Sequence, residues 1–352
     1  MKILVLGGGQ QGRVIATDLS YKVNNTHVDV ADIREPSLPE RGNLRWVEAD
    51  LADVSALARR MREYDLAVGA LPSRLGFGAM RAAIEARRPL VDVSFSAEDP
   101  LALDADARRA GVTIFPDCGL APGLTHLCAA HASMDRTPDE ITMYVGGVAQ
   151  DRARPYGYVI TWSLEDLLEE YVRPARVVRE GRPTSFPAFA DLDRVQVPGV
   201  GEMESFLSDG LRTLIASMPD VRTMSERTLR WPGHAEAVRP LVESGRFLQE
   251  FKSKCVAEPP RDLVAMMTVV KRGSQVQRAT LVDHYDEASR LTAMSRTTAL
   301  TTSAVAQWIA GGGGGEPGVK PLERVGHDVR AYAAITGALE KHGVRIHWDW
   351  GT

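Results

Sequence analysis

Gly7, Gly9 and Gly12 stand in a G-x-G-x-x-G pattern immediately after the apolar run Ile3–Leu6 and at the start of a helical stretch. Gly7 permits a tight turn, Gly9 lets backbone approach a pyrophosphate, and Gly12 allows close packing of helix on strand. Gln10 and Gln11 open that helix, whose free N–H groups and positive dipole suit phosphate oxygens, so both are placed with the glycines as cofactor contacts. Asp32 follows about 20 residues later at the end of the second apolar run, where a carboxylate bonds ribose hydroxyls. The chemistry indicated is dinucleotide binding. Asp32 favours NAD, because its charge repels a 2′-phosphate; Arg34 keeps NADP from being excluded. No metal site is expected, since the eight His and three Cys show neither C-x-x-C nor H-E-x-x-H spacing.

That loop needs a scaffold. Ile3–Leu6, Val28–Ala31, Leu44–Val47, Leu66–Gly69, Leu90–Val93 and Val112–Phe115 are mainly apolar runs rather than alternating ones and read as six strands, as parallel strands covered on both faces require. Helical patterns over 54–64, 76–87 and 100–110 lie between them, which predicts an α/β, doubly wound Rossmann domain. Ligands bind such sheets at the carboxyl ends of the strands, so Asp50, Leu51, Leu71, Pro72 and Ser94 are expected to line the cofactor crevice. Past Pro122, which suits the first turn of a helix to about Met134, the pattern mixes strands and helices. Leu263–Lys271 and Val276–Asp283 flank a short turn and predict a hairpin. The expected organisation is a nucleotide domain of 1–122 completed by 296–352, with an inserted α+β domain of 123–295. Gly311–Gly315 reads as a flexible loop, and 321–342 as helical.

Lys+Arg 42 against Asp+Glu 46 leaves a net charge of −4, with no basic cluster of the kind nucleic acid requires. No apolar run approaches the ~20 residues of a membrane span. Three widely spaced cysteines and the absence of a leader pattern suit a cytoplasmic protein.

More specific segments follow in order. They are Gly69-Ala70-Leu71-Pro72, Val91-Asp92-Val93-Ser94-Phe95, Asp117-Cys118-Gly119-Leu120-Ala121-Pro122-Gly123, Tyr144-Val145-Gly146-Gly147, Gly157 to Ser163, Tyr171 to Arg176, Ser208 to Leu214 and Thr228 to His234. This series resembles the saccharopine dehydrogenase-like family, and within it most closely the L-lysine 6-dehydrogenases. The resemblance implies a Rossmann domain plus an inserted domain that holds an amino acid substrate and mediates contacts in a homodimer or higher homo-oligomer. It places Tyr158, Thr161 and Ser163 near cofactor and substrate, and Thr228 and Arg230 in a substrate-contacting T-L-R segment, with Arg212 a second candidate; Ser94 and Phe95, at a strand end, are further substrate candidates. Arg230 also has the planar fork that matches an α-carboxylate. Ala121 stands where saccharopine reductases resemble one another in carrying an acidic residue, which favours a smaller substrate.

Oxidising an amine by hydride transfer requires a base to take the ammonium proton. Asp117, after the sixth strand, is one candidate; His234 and His126 are the alternatives. Cys118 is read as a pocket-lining thiol rather than a nucleophile. The leading expectation is NAD-dependent oxidative deamination of L-lysine to its 6-semialdehyde. A saccharopine or carboxynorspermidine-type reductase is the alternative, and a non-catalytic dinucleotide sensor the second.

Overall fold

A computed structural model describes residues 1–351. The chain divides into two compact units, one of 1–127 with 298–342, the other of 128–297 with the residues from Gly343 on. Among the described residues no helix is long and apolar enough to cross a membrane.

The first unit is built on a seven-stranded sheet in the order Gly318–Val319, Thr113–Phe115, Leu90–Asp92, Leu66–Gly69, Lys2–Leu6, His27–Asp32, Leu44–Glu48. Every pairing is parallel. The apolar runs form these strands because helices cover both faces; Ile3, Leu4, Val5 and Leu6 are all fully buried. Strand order reverses between Lys2–Leu6 and Leu66–Gly69, the topological switch at which doubly wound sheets bind ligands. Asp53 caps the helix Val54–Met61 by accepting from the N–H groups of Ser55 and Ala56, and Gly111 ends Asp104–Ala110 in the left-handed region. The seventh strand was not legible in advance, since two residues carry no period. Buried Asp18, on the helix Gln10–Lys22, accepts from Ser303 Oγ (2.6 Å) and Gln307 Nε2 (2.9 Å), and lies 2.9 Å from His342 Nε2. These bonds fasten the returning segment to the helix that starts at the glycine loop. The five glycines do not hang free: Gly311, Gly312 and Gly313 donate to the carbonyls of Gln307, Ile309 and Trp308.

The second unit carries a nine-stranded, mostly antiparallel sheet. Its main path runs Asp193–Val197, Gly201–Ser208, Thr223–Arg230, Glu140–Ala149, Asp262–Arg272, Gln275–His284, His347–Gly351, with Ala175–Arg179 and Arg182–Phe186 branching from Thr223–Arg230. The expected hairpin is present, closed between Arg272 and Gln275 through Gly273 at φ +54°. The helices Leu164–Val172, His234–Glu243 and Phe247–Lys254 bury an aromatic cluster that includes Tyr158, Tyr171, Phe189, Phe206, Phe247 and Phe251.

Two expectations are corrected. The segment 296–352 does not lie wholly with the nucleotide unit: His347–Gly351 pairs with Gln275–His284, and Trp348 packs on His131, because this edge needs a partner strand. Pro122 does not open a helix; it follows a cis peptide, and the helix runs Leu124–Ala132.

Candidate functional site

The glycine loop is shaped by sterics that can be stated atom by atom. Gly7 sits at φ +96°, and a Cβ there would lie 2.6 Å from the Ala70 carbonyl oxygen. A Cβ on Gly12 would come within 1.9 Å of the Gly7 carbonyl oxygen, so helix and loop touch with no room for a side chain. At Gly9 a Cβ would meet no protein atom within 4 Å. This residue caps the helix Gln10–Lys22, whose first turn has no side-chain cap and no acidic residue. Gln11 Oε1 is buried without a hydrogen-bond partner among the described residues. Open space and free helix N–H groups at one turn are what a pyrophosphate would satisfy. The residues fit a dinucleotide.

Asp32 closes the same loop. Its Oδ2 accepts from the Gly8 N–H at 2.6 Å and its Oδ1 from the Arg34 N–H at 3.0 Å. The remaining lone pairs are free for ribose hydroxyls. Of the other expected cofactor residues, Leu51 and Leu71 are buried in the core, while Asp50 and Pro72 are exposed. Ser163 belongs to the second unit and serves as a helix cap, its Oγ accepting from the Asp166 N–H at 3.1 Å.

At the carboxyl ends of the outer strands the first unit buries several ionisable groups. Asp117 is 2% exposed and adopts φ +55°, in the turn that follows Thr113–Phe115. Asp92, which ends its strand, is completely buried; burial, with the Asp117 charge adding to it, pushes its carboxyl up to about 7 against the pull of Ser94. Ser94 is buried as well, and Phe95 half-buried. His126 and Glu323 are each 1% exposed and lie 3.5 Å apart. The Cys118 thiol is raised well above its ordinary value by burial and by the carboxylates of Asp117 and Asp92, so it is no nucleophile at neutral pH.

In the second unit Arg230 ends the strand Thr223–Arg230, 2% exposed. Its Nε donates to the Tyr171 hydroxyl (2.9 Å), one terminal nitrogen to the Leu229 carbonyl (2.9 Å), the other to Glu170 Oε2 (2.7 Å). Tyr171 continues the chain to His234 Nε2 at 2.9 Å, and His234 Nδ1 lies 2.7 Å from the Tyr156 carbonyl, to which it must donate. His234 is therefore neutral with both ring nitrogens engaged; burial and the Arg230 charge push its imidazole down to about 3. Buried Glu204 fixes the start of its helix by accepting from the Gly233 and Ala235 N–H groups. Tyr158 is buried beside this chain, its hydroxyl accepting from Trp162 Nε1 at 3.0 Å. Thr228, Thr161 and Arg212 are buried, the last at φ +49°, and Trp231 Nε1 donates to the Ala149 carbonyl.

The structure thus brings Arg230, Tyr158 and His234 together in one unit, and Ser94 and Asp117 onto the carboxyl ends of neighbouring strands in the other. Sequence reasoning missed Asp92, Glu170 and Glu323. Glu170 and Glu323 stand in stretches where charge ordinarily means surface, and Asp92 ends an apolar strand. Among the described residues no cluster of His, Cys, Asp and Glu could hold a metal ion.

Residues 3–115 match the family model for the saccharopine dehydrogenase NADP binding domain, and residues 119–344 match that for the saccharopine dehydrogenase C-terminal domain. A Saccharomyces cerevisiae saccharopine dehydrogenase [NADP(+), L-glutamate-forming] is 23% identical over 267 residues, covering 69% of this chain and 58% of the relative. The mitochondrial alpha-aminoadipic semialdehyde synthase of Mus musculus is 25% identical over 267 residues, 71% of this chain and 29% of the relative. The chain spans less than two thirds of the length of these relatives. A solved apo structure of the histidine-tagged yeast saccharopine dehydrogenase (L-Glu forming) superposes with a TM-score of 0.75 at 16% identity over 100% of both chains, a shared fold.

Proposed function

The chain belongs to the saccharopine dehydrogenase family, and we propose that it is an NAD(P)-dependent oxidoreductase that cleaves the secondary amine of saccharopine to glutamate and 2-aminoadipate 6-semialdehyde. The match of both family models along one chain carries this reading. It supports the saccharopine reaction better than the lysine deamination expected from the sequence. Lysine oxidation stays as a second reading on one observation: Ala121 supplies no acidic group in the G-L-x-P-G turn. Both reactions share a chemistry, in which an amine nitrogen loses a proton, its carbon loses a hydride and water hydrolyses the imine. Incubating the protein with saccharopine or with L-lysine, and following reduced nicotinamide by absorbance, separates them. Turnover with saccharopine alone is expected. Turnover with lysine alone would reverse the order of the two readings.

The bound dinucleotide supplies the hydride acceptor. In this chain the N–H groups following Gly9 would hold the pyrophosphate, and Asp32 would accept from the adenosine ribose. Asp117 takes the amine proton; neutral His234, with no free ring nitrogen, does not, and His126 is tied to Glu323. Arg230 meets a substrate carboxylate only by exchanging its bond to Glu170, whose carboxyl burial has pushed up.

The names of relatives specify NADP(+), whereas Asp32 argues for NAD in this chain. Unmodified protein is expected to bind NAD more tightly than NADP, and Asp32→Ser to narrow or reverse that ratio by about 10-fold. Dissociation constants for the two oxidised dinucleotides, from tryptophan fluorescence, check this. Equal affinities in the unmodified protein would give control of the pocket to Arg34.

A further inference from the structure

Asp92 has the marks of a residue kept for more than packing. It ends the strand Leu90–Asp92 completely buried, with Oδ1 accepting from the Ser94 N–H at 2.7 Å and Oδ2 without a hydrogen-bond partner among the described residues. A buried, half-satisfied carboxyl costs stability, and an apolar residue would avoid that cost. The neighbouring elements are cut back to admit it. A Cβ on Gly69 would fall 1.9 Å from Asp92 Oδ2, and one on Gly76 would fall 2.5 Å from Ser94 Cβ. The Asp92 carbonyl accepts from the Cys118 N–H at 2.8 Å, which ties the turn holding Asp117 to this strand end. Both carboxyls therefore sit at carboxyl ends of adjacent parallel strands, the edge where this class of sheet binds its ligands.

We propose that Asp92 is a positioning residue acting through Asp117: the two carboxyls form one buried acid pair, and the Asp92 proton governs how strongly Asp117 accepts a proton from the substrate amine. The inference rests on the oxidoreductase reading above. With Asp92 protonated, the pair carries at most a single negative charge. Once Asp92 ionises, two like charges share a buried site and the pair holds an incoming proton more tightly. The midpoint of that change belongs near neutrality, since burial and Asp117 push Asp92 up to about 7. The other titratable groups at this end are the Cys118 thiol, from the same turn as Asp117, and Glu323, whose charge also raises that thiol and which lies 3.5 Å from His126. On the neighbouring strand and helix, Gly69 and Gly76 leave room for Asp92 and Ser94.

Asp92→Asn keeps the shape and the Ser94 bond but cannot ionise. Infrared titration of the protein without substrate should show a protonated carboxyl band that disappears with a midpoint near pH 7, absent in Asp92→Asn. In Asp117→Asn the midpoint should move to lower pH, because the repelling charge is gone. With saccharopine, kcat of the unmodified protein should rise through neutral pH. Asp92→Asn should lose that rise and run about 10-fold slower at alkaline pH, with KM little changed. The proposal is overturned if the band does not titrate near neutrality, if Asp117→Asn leaves its midpoint in place, or if Asp92→Asn keeps the rise. Absence of turnover with any substrate would refute the oxidoreductase reading, while the two infrared results would still decide whether the pair exists.

Discussion

Arg230→Ala is expected to lower the unfolding free energy by about 3–5 kcal/mol, the cost of leaving a buried ion pair half empty. The loss is large because one guanidinium satisfies three acceptors at once: Glu170 Oε2, the Tyr171 hydroxyl and the Leu229 carbonyl. Tyr171 in turn donates to His234, so removing Arg230 also strips the only protein donor to the Tyr171 oxygen in that chain. Arg230→Lys retains the charge but cannot span all three acceptors, and should fall between the two. Urea unfolding followed by circular dichroism measures the series. A loss below about 1 kcal/mol in Arg230→Ala would mean that water replaces the guanidinium without penalty. Arg230 would then be free to act purely as a ligand group, as the sequence alone suggested.

A comparable effect on the cofactor is expected from Gly12→Ala. The new methyl would lie 1.9 Å from the Gly7 carbonyl oxygen, a backbone atom that cannot swing aside as a side chain would. The loop has to open, the N–H groups lose their aim, and dinucleotide affinity should fall by about 100-fold, or about 2.7 kcal/mol. Melting temperature should fall with it. Gly9→Ala makes the contrast, since its methyl meets no protein atom within 4 Å. Weakened binding at unchanged melting temperature is expected there, because the methyl occupies only ligand space. If Gly9→Ala binds as well as the unmodified protein, the pyrophosphate does not cross that residue.

How far the sequence could be read depended on which faces were apolar. Six of the seven strands of the nucleotide sheet are mainly apolar runs, the clearest being Ile3–Leu6, where every side chain is buried and none is charged. The strand Thr223–Arg230 defeated the same reading. It is buried along nearly its whole length yet contains Glu226, Arg227 and Arg230. Its charges are neutralised by distant groups such as Asp191 and Glu170, 36 and 60 residues away in sequence. No local pattern announces such pairing. The site was legible in the same uneven way. The glycine spacing and Asp32 are local signals, and the structure gives each a steric or hydrogen-bonded reason. His234 stood out as a possible base only because its partners, Tyr171 and the Tyr156 carbonyl, lie 63 and 78 residues away. Asp92 was hidden for the opposite reason: what distinguishes it is a missing hydrogen bond, which a sequence cannot display.

The strand His347–Gly351 has a consequence for the order of events during synthesis. Its partner, Gln275–His284, is made some sixty-odd residues earlier, and all of 298–342 emerges in between. A nascent chain therefore holds the hairpin with an open edge while an entire segment of the other unit is being translated. Only when residues beyond 346 clear the ribosome can Trp348 reach His131 and the edge close. Until then the row of unpaired groups on Gln275–His284 is a template for any extended chain nearby. A chain that stops before residue 347 therefore has the full sequence of its nucleotide unit and a second sheet whose edge is still open.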